Sequence, residues 1–276
     1  MRKQKISLGK ILVMIMLIID AVIVIYPLFW MIVSSLKSYN EIYQKVWGFP
    51  EKALFSNYKE AWVKGISRYF LNSLLVTIIT IFGVLIVASL CAYGLSRYKF
   101  KLSAIILLAC MGGLMMNPQV CLIPIYSLLN TLHIRNTYWA LILPYIAFRL
   151  SLSVLLIRSY FLGIPREMEE SARMDGCSDF TIYQRIFMPI SKPIMVTCAI
   201  LTAYYAWNEF LFAVIFIDSE KYKTIPSGLM TFRDALSTNW GVMLAGMVIS
   251  AIPLIVMFIV LQKQFIRGMT AGSVKG

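Results

Sequence analysis

The apolar residues of this chain come in long, nearly uninterrupted blocks, and that feature leaves few folds open. Hydrocarbon offers no water to a backbone N–H or C=O. A segment that crosses a bilayer must therefore satisfy its own polar groups as a helix, or close into a barrel. Barrel strands would read as roughly ten-residue segments of alternating polarity, and no such alternation is visible. Six blocks stand out: Ile11–Val33, Phe70–Leu95, Leu102–Leu129, Tyr138–Ile157, Pro193–Ile217 and Trp240–Phe265. Each is long enough to cross ~30 Å of hydrocarbon with some tilt. The sequence therefore predicts an all-α integral membrane protein, with one transmembrane domain over residues 1–276 and six transmembrane helices. The third block is the least regular, because Gly112, Gly113, Pro118 and Pro124 fall inside it. Pro144 and Pro253 are expected to kink the fourth and sixth.

Composition agrees. Charged residues make up 14% of the 276, where a soluble domain carries about 25%. The formal charge of +13 would suit nucleic acid, but the basic residues sit between and beside the apolar blocks. There they serve orientation and snorkelling, and no nucleic-acid partner is expected. The basic stretch Met1–Lys10 before an apolar run resembles a signal peptide. The run is too long, and no small-residue cleavage site follows, so it is read as the first span. An even number of spans puts both termini on one side. That side holds 15 Lys and Arg against 10 on the other, with Arg149 inside a span, which favours cytoplasmic termini. The five cysteines are odd in number and mostly lie within apolar blocks, so free thiols are expected. With His133 as the single histidine, no histidine metal site is expected. The loop from Leu36 to Tyr69 carries Trp47, Phe49, Pro50, Tyr58 and Trp62, a composition suited to packing along the membrane surface.

The stretch from Tyr160 to Lys192 has complete helix punctuation. Pro165 suits the first helical position, Glu167, Glu169 and Glu170 suit the positive end, and Gly176 suits the stop just past the C-terminus. Gly176 is expected to take a positive φ. Ser178 or Asp179 is placed to cap a second short helix ending before Pro189. Ser171 and Ala172 leave a small-residue spot where another protein could approach. An ordinary amphipathic loop would also fit this geometry.

The spacing of these residues carries a specific resemblance. Glu170-Ser171-Ala172, then Asp175-Gly176, then Ile186-Phe187-Met188-Pro189 resembles the "EAA" signature of ABC importer permeases, which ends in Ile-x-Leu-Pro. Ser171, Cys177 and Met188 replace the usual Ala, Ala and Leu, all small or volume-similar changes. Further stretches resemble the carbohydrate permeases of the maltose/maltodextrin type, in particular the shorter six-span subunit of the permease pair. These are Tyr26–Trp30 with Ser35–Lys37, Asn72-Ser73, Ala92–Arg97, Trp207–Phe210, Thr224–Leu229 and Gln264–Gly276.

That resemblance implies a subunit importing a sugar or oligosaccharide delivered by an external solute-binding protein. It also implies a second, unlike permease and two ATPase subunits, in a bacterial or archaeal cell membrane. In that family the EAA helices dock into a cleft of the ATPase, and in some members the C-terminal tail touches it too. ATP closing the ATPase pair then rocks the spans from inward- to outward-facing. The residues implied to couple to the ATPase are Glu169, Glu170, Ser171, Ala172, Asp175, Gly176, Ile186 and Pro189. Thr224, Pro226 and Gly228 are implied contacts for the binding protein. No Gly-x-x-x-x-Gly-Lys-Ser/Thr stretch is present, so ATP and Mg are expected on the partner subunits, with no cofactor and no catalytic residue on this chain.

Polar groups inside the apolar blocks are few. Tyr204, Tyr205, Asn208, Glu209 and Asn117 are candidates for lining a solute pathway. Inter-helix hydrogen bonding explains them equally well. Asp20 and Arg149 either face such a pathway or sit near an interface. An importer of polyols or glycerol phosphates is an alternative of the same type. An ion-coupled carrier would want more mid-depth carboxylates than Glu209, and a channel would want a filter motif.

Overall fold

A computed structural model describes residues 8–232 and 239–271. The expected basic residues before Leu8 and the last residues of the Gln264–Gly276 motif lie outside this range. All regular structure among the described residues is helical. In chain order the helices are α1 (Leu8–Ser35), α2 (Tyr39–Gln44), α3 (Ser56–Ala61), α4 (Ser67–Arg97), α5 (Ser103–Met115), α6 (Leu122–Thr131) and α7 (Trp139–Leu162). They continue with α8 (Arg166–Met174), α9 (Asp179–Ile182), α10 (Met188–Ile190), α11 (Lys192–Asn208), α12 (Leu211–Phe216), α13 (Ile225–Gly228) and α14 (Trp240–Ala271).

Among the described residues, four helical stretches are long and apolar enough to cross a membrane unaided: Gly9–Ser35, Ser56–Arg97, Trp139–Leu162 and Trp240–Lys263. These match the first, second, fourth and sixth expected spans. Pro144 and Pro253 lie inside unbroken helices. The other two expected spans are interrupted. The third divides into α5 and α6 around Met116–Cys121, where Asn117 and Pro118 stop the helix. The fifth breaks at Glu209-Phe210, between α11 and α12. An opened helix frees backbone groups that hydrocarbon cannot satisfy, so these breaks belong against protein or a wet cavity.

The chain divides into two compact units. The first comprises Met1–Ile66 and Leu229–Ala251. Its loop after α1 is ordered by hydrogen bonds. Ser38 and Glu41 form a reciprocal capping box at the start of α2. The Asn57 amide donates to Ser35 O at 2.8 Å and Lys37 O at 3.1 Å. The buried Lys37 ammonium closes the end of α2 by donating to Lys45 O (2.8 Å) and Val46 O (3.0 Å). Gly241 lets α14 start against this loop, since a Cβ there would stand 2.8 Å from Lys37 O.

The second unit comprises Ser67–Gly228 and Ile252–Gly276. Its centre is α4, packed on α7 and α11. Asn72, Val76, Thr80, Val84, Ala88, Ala92 and Ser96 are all buried, one every four residues. That run is a ridge of mostly small side chains, which lets a second helix approach closely where lipid supplies no hydrophobic drive. Gly83 extends the close approach, because a Cβ there would meet Ile146 Cδ1 at 2.4 Å.

Candidate functional site

The stretch after α7 folds as two short helices joined by a tight turn. Pro165 takes the N-cap position, one residue earlier than expected, and Arg166 opens α8. Glu167 and Glu169 lie in its first turn and complement the dipole. At the other end Gly176 has φ +79°, as its spacing predicts. Gly176 N–H donates to Arg173 O and Cys177 N–H to Ala172 O, both at 3.0 Å. These two bonds define a Schellman stop, which satisfies carbonyls that the helix end would leave free. Ser178 then caps α9, its Oγ accepting from Thr181 N–H at 3.3 Å. The Arg173 guanidinium spans the turn, reaching Glu169 at 2.9 Å and Asp179 at 2.6 Å.

The second helix does not end before Pro189. Helical backbone continues from Asp179 to Ile190 through a π turn at Tyr183–Phe187. Met188 N–H reaches back to Tyr183 O there, which loosens the ladder just where the Pro189 ring would clash with an α-helical carbonyl. The chain then bends by 76° at Ser191 into α11.

Arg97, the last residue of α4, holds this segment in place. Its side chain is 3% exposed. It donates to Phe161 O at 2.7 Å and Ile164 O at 2.9 Å, closing the C-terminal end of α7. It pairs with Glu169 at 3.5 Å, and its guanidinium lies 4.6 Å from the centre of the Phe187 ring. The exchange is mutual, since Arg158 of α7 donates to Leu95 O at the end of α4. Beneath Arg97, Tyr93 meets Phe187 and Tyr183 at ring separations of 4.9 and 5.4 Å, and Ser89 bonds Tyr183 at 2.7 Å. Ala92–Arg97 was legible as a family-like stretch, but no spacing signal tied Arg97 to a helix so far along the chain.

The expected coupling residues divide into an inner and an outer set. Ala172 is buried against its own chain, and Glu169 is held by Arg97 and Arg173. The small-residue spot is therefore reduced to Ser171, because the helical turn that exposes Ser171 faces Ala172 inward. Glu170, Ser171, Asp175, Gly176 and Pro189 are exposed, and Ile186 is half-buried. Two residues missed by sequence reasoning dominate the outer face: Met174 at 89% exposure and Phe180 at 65%. Large apolar side chains so exposed at either end of a rigid turn suit a protein contact.

The candidate pathway residues gather near the two helix breaks. Asn117 lies in the first, its Oδ1 accepting from Gln119 N–H. Tyr204 and Asn208 share the exposed side of α11, one turn apart. Glu209 lies at the second break, and its carboxylate caps α12 by accepting from Phe212 and Ala213 N–H and from the Tyr145 hydroxyl at 2.7 Å. Tyr205 packs edge-on against Tyr145.

The expected binding-protein contacts are mostly enclosed. Thr224 and Gly228 are buried and Pro226 is half-exposed. Asn72 donates to Lys221 O and Lys223 O, Ser73 accepts from Ile225 N–H, and a Cβ on Gly228 would strike the Tyr69 ring at 2.2 Å. The Asn72-Ser73 and Thr224–Gly228 stretches are thus two halves of one fastening. Any external contact here falls on exposed neighbours such as Glu220 and Lys221.

Comparisons with known proteins agree with this architecture. A family model described as "Binding-protein-dependent transport system inner membrane component" matches residues 84–271. The "Probable ABC transporter permease protein YurM" of Bacillus subtilis (strain 168) is 50% identical, covering 99% of this chain and 91% of the relative. The "Trehalose/maltose transport system permease protein MalG" of Thermococcus litoralis is 34% identical, with 98% of each chain covered. Among solved structures, a chain of a bacterial ABC transporter that imports the acidic polysaccharide alginate superposes with a TM-score of 0.85 at 23% identity. It covers 96% of this chain and 99% of its own.

Proposed function

Since this chain belongs to the family of binding-protein-dependent transport system inner membrane components, we propose that it is the permease subunit of an ATP-driven importer of sugars or oligosaccharides. The observation that carries the proposal is the rigid turn at Asp175-Gly176. It presents Glu170, Met174 and Phe180 outward while Arg97 ties its inner side to the ends of α4 and α7. In this reading the outer face docks on an ATPase subunit, and ATP and Mg belong to that partner.

Force applied at α8 then has a direct route into the spans. Arg97 touches α8 through Glu169, the π turn through Phe187, and α7 and the connection after it through Phe161 O and Ile164 O, so these elements move together. ATP shifts the equilibrium only by binding one global state better than the other, and a tied loop carries that difference into the membrane. Both termini then lie in the cytoplasm, the loop after α12 faces outward toward the binding protein, and α5–α6 and α11–α12 each count as one span, giving six. A second, unlike permease completes the pathway beside Asn117, Tyr204 and Asn208. The Thermococcus relative is named for trehalose and maltose and the solved transporter for alginate, which supports a saccharide cargo.

The test is ATP-driven uptake by the purified whole complex in proteoliposomes, with its binding protein on the side opposite ATP, against a glycan panel. Uptake of at least one saccharide that depends on both ATP and binding protein is expected. Uptake driven by an ion gradient without ATP would replace this reading with a secondary carrier.

A further inference from the structure

Arg149 stands near the middle of α7, ten residues past Trp139 and thirteen before Leu162, roughly 15 and 20 Å from the two ends. A cation at that depth is costly even on the lenient insertion scales, so it answers to an anion or to water. Among the described residues no carboxylate pairs with it. Its guanidinium lies 5.2 Å from the centre of the Tyr205 ring, and its buried Nε has no hydrogen-bond partner. The carboxylate nearest in sequence to Tyr205, that of Glu209, is already engaged by Tyr145, Phe212 and Ala213. The Tyr205 hydroxyl is also buried and without a partner. Two donors are thus brought to one place, one of them charged, and the acceptor is missing.

The surroundings indicate what the acceptor is. Tyr205 is one helical turn from the break at Glu209-Phe210, where the opened backbone belongs against protein or a wet cavity and not against lipid. Exposed Tyr204 and Asn208 adjoin it on α11, an aromatic face and an amide of the kind that grips a sugar ring. A guanidinium steadied over an aromatic ring presents its fork to a planar or tetrahedral oxyanion.

We propose that Arg149, with the Tyr205 hydroxyl, forms a subsite inside the membrane that recognises a carboxylate or sulfonate group on the transported saccharide. This rests on the importer reading and narrows its cargo to an acidic sugar. The whole complex, in nanodiscs and free of nucleotide, is treated with phenylglyoxal, and modification of Arg149 is followed by peptide mass spectrometry with exposed Arg68 as internal reference. The probes are di- and trigalacturonate, with maltose and maltotriose as neutral counterparts. Galacturonates should slow modification of Arg149 at least about fivefold, and the neutral sugars should leave it unchanged. Tyr205→Phe should weaken that protection while keeping the complex assembled. Equal protection by both sugar classes, or by neither, overturns the proposal. So does an Arg149 that resists modification without any sugar, which would assign its counter-charge to the partner permease. A complex that purifies without ATPase subunits would instead refute the importer reading, so the two failures are distinguishable.

Discussion

At the scale of single residues, Gly176 sets the coupling turn through its backbone. Nothing lies within 4 Å of where its Cβ would stand, yet its φ is +79°. The penalty for substitution is therefore conformational and not steric. Left-handed backbone costs an ordinary L-residue about 1–2 kcal/mol, and a β-branched one more. Gly176→Ala should lower ATP-driven uptake modestly and Gly176→Val by about tenfold, with both proteins still inserted. Equal uptake by Gly176→Val and wild type would contradict the role. Glu41 gives a pH prediction in the first loop. Its carboxylate accepts from Ser38 N–H and Glu51 N–H and from the Ser38 hydroxyl, and these bonds hold its pKa down to about 2. A depressed carboxyl stabilises the folded loop above its unfolded pKa, near 4.3, and that contribution fades as pH falls toward 2. Proteolysis of the loop between Lys37 and Lys52 should rise as pH is lowered through that window, and Glu41→Gln should flatten the dependence.

At the scale of elements, the clamp between α4, α7 and α8 is the most exposed part of the account. Arg97→Lys keeps the charge but cannot bond Phe161 O and Ile164 O while also covering Phe187. Each charge-assisted hydrogen bond is worth about 1.5–3 kcal/mol, so losing one or two should uncouple the loop. Arg97→Lys should leave ATP hydrolysis by the assembled complex measurable while uptake per ATP falls by about tenfold. A proportional loss of both would point to misfolding alone. Most elements were legible in the sequence because the apolar blocks and the Pro165–Gly176 punctuation are local signals. The α5–α6 and α11–α12 breaks were legible only in part. Gly112, Gly113 and Pro118 marked the first as irregular, whereas the second arises from Glu209 turning its carboxylate onto the next helix's N–H groups. Arg97 and the Asn72–Lys221 fastening were hidden for a different reason. Their partners lie far along the chain, and one sequence carries no signal for pairings at that separation. The π turn escaped as well, since Pro189 reads as a stop unless the ladder before it is known to open.

At the scale of the whole molecule, α1 is an apolar helix whose residues Ile11–Ile25 are all exposed, burial being confined to its end at Ser34 and Ser35. Lipid covers part of such a surface, and the proposed second permease accounts for the rest. The complex should therefore purify with an unlike permease and two ATPase subunits, and an active homodimer of this chain would contradict that. Sidedness follows from thiol labelling on a cysteine-free background. Ser227 is enclosed by its own chain, so the outer probe belongs at exposed Lys221. Lys221→Cys should react with an impermeant reagent in intact cells, and Ser178→Cys only after lysis. The central claim, that the Arg166–Ile182 turn is the ATPase-docking element, is tested most directly by placing a photo-cross-linking residue at Met174. In the whole complex its cross-links should go to an ATPase subunit, and their yield should change when ATP binds. Cross-links confined to lipid or to the permeases, in a complex that still hydrolyses ATP and transports, would contradict the account.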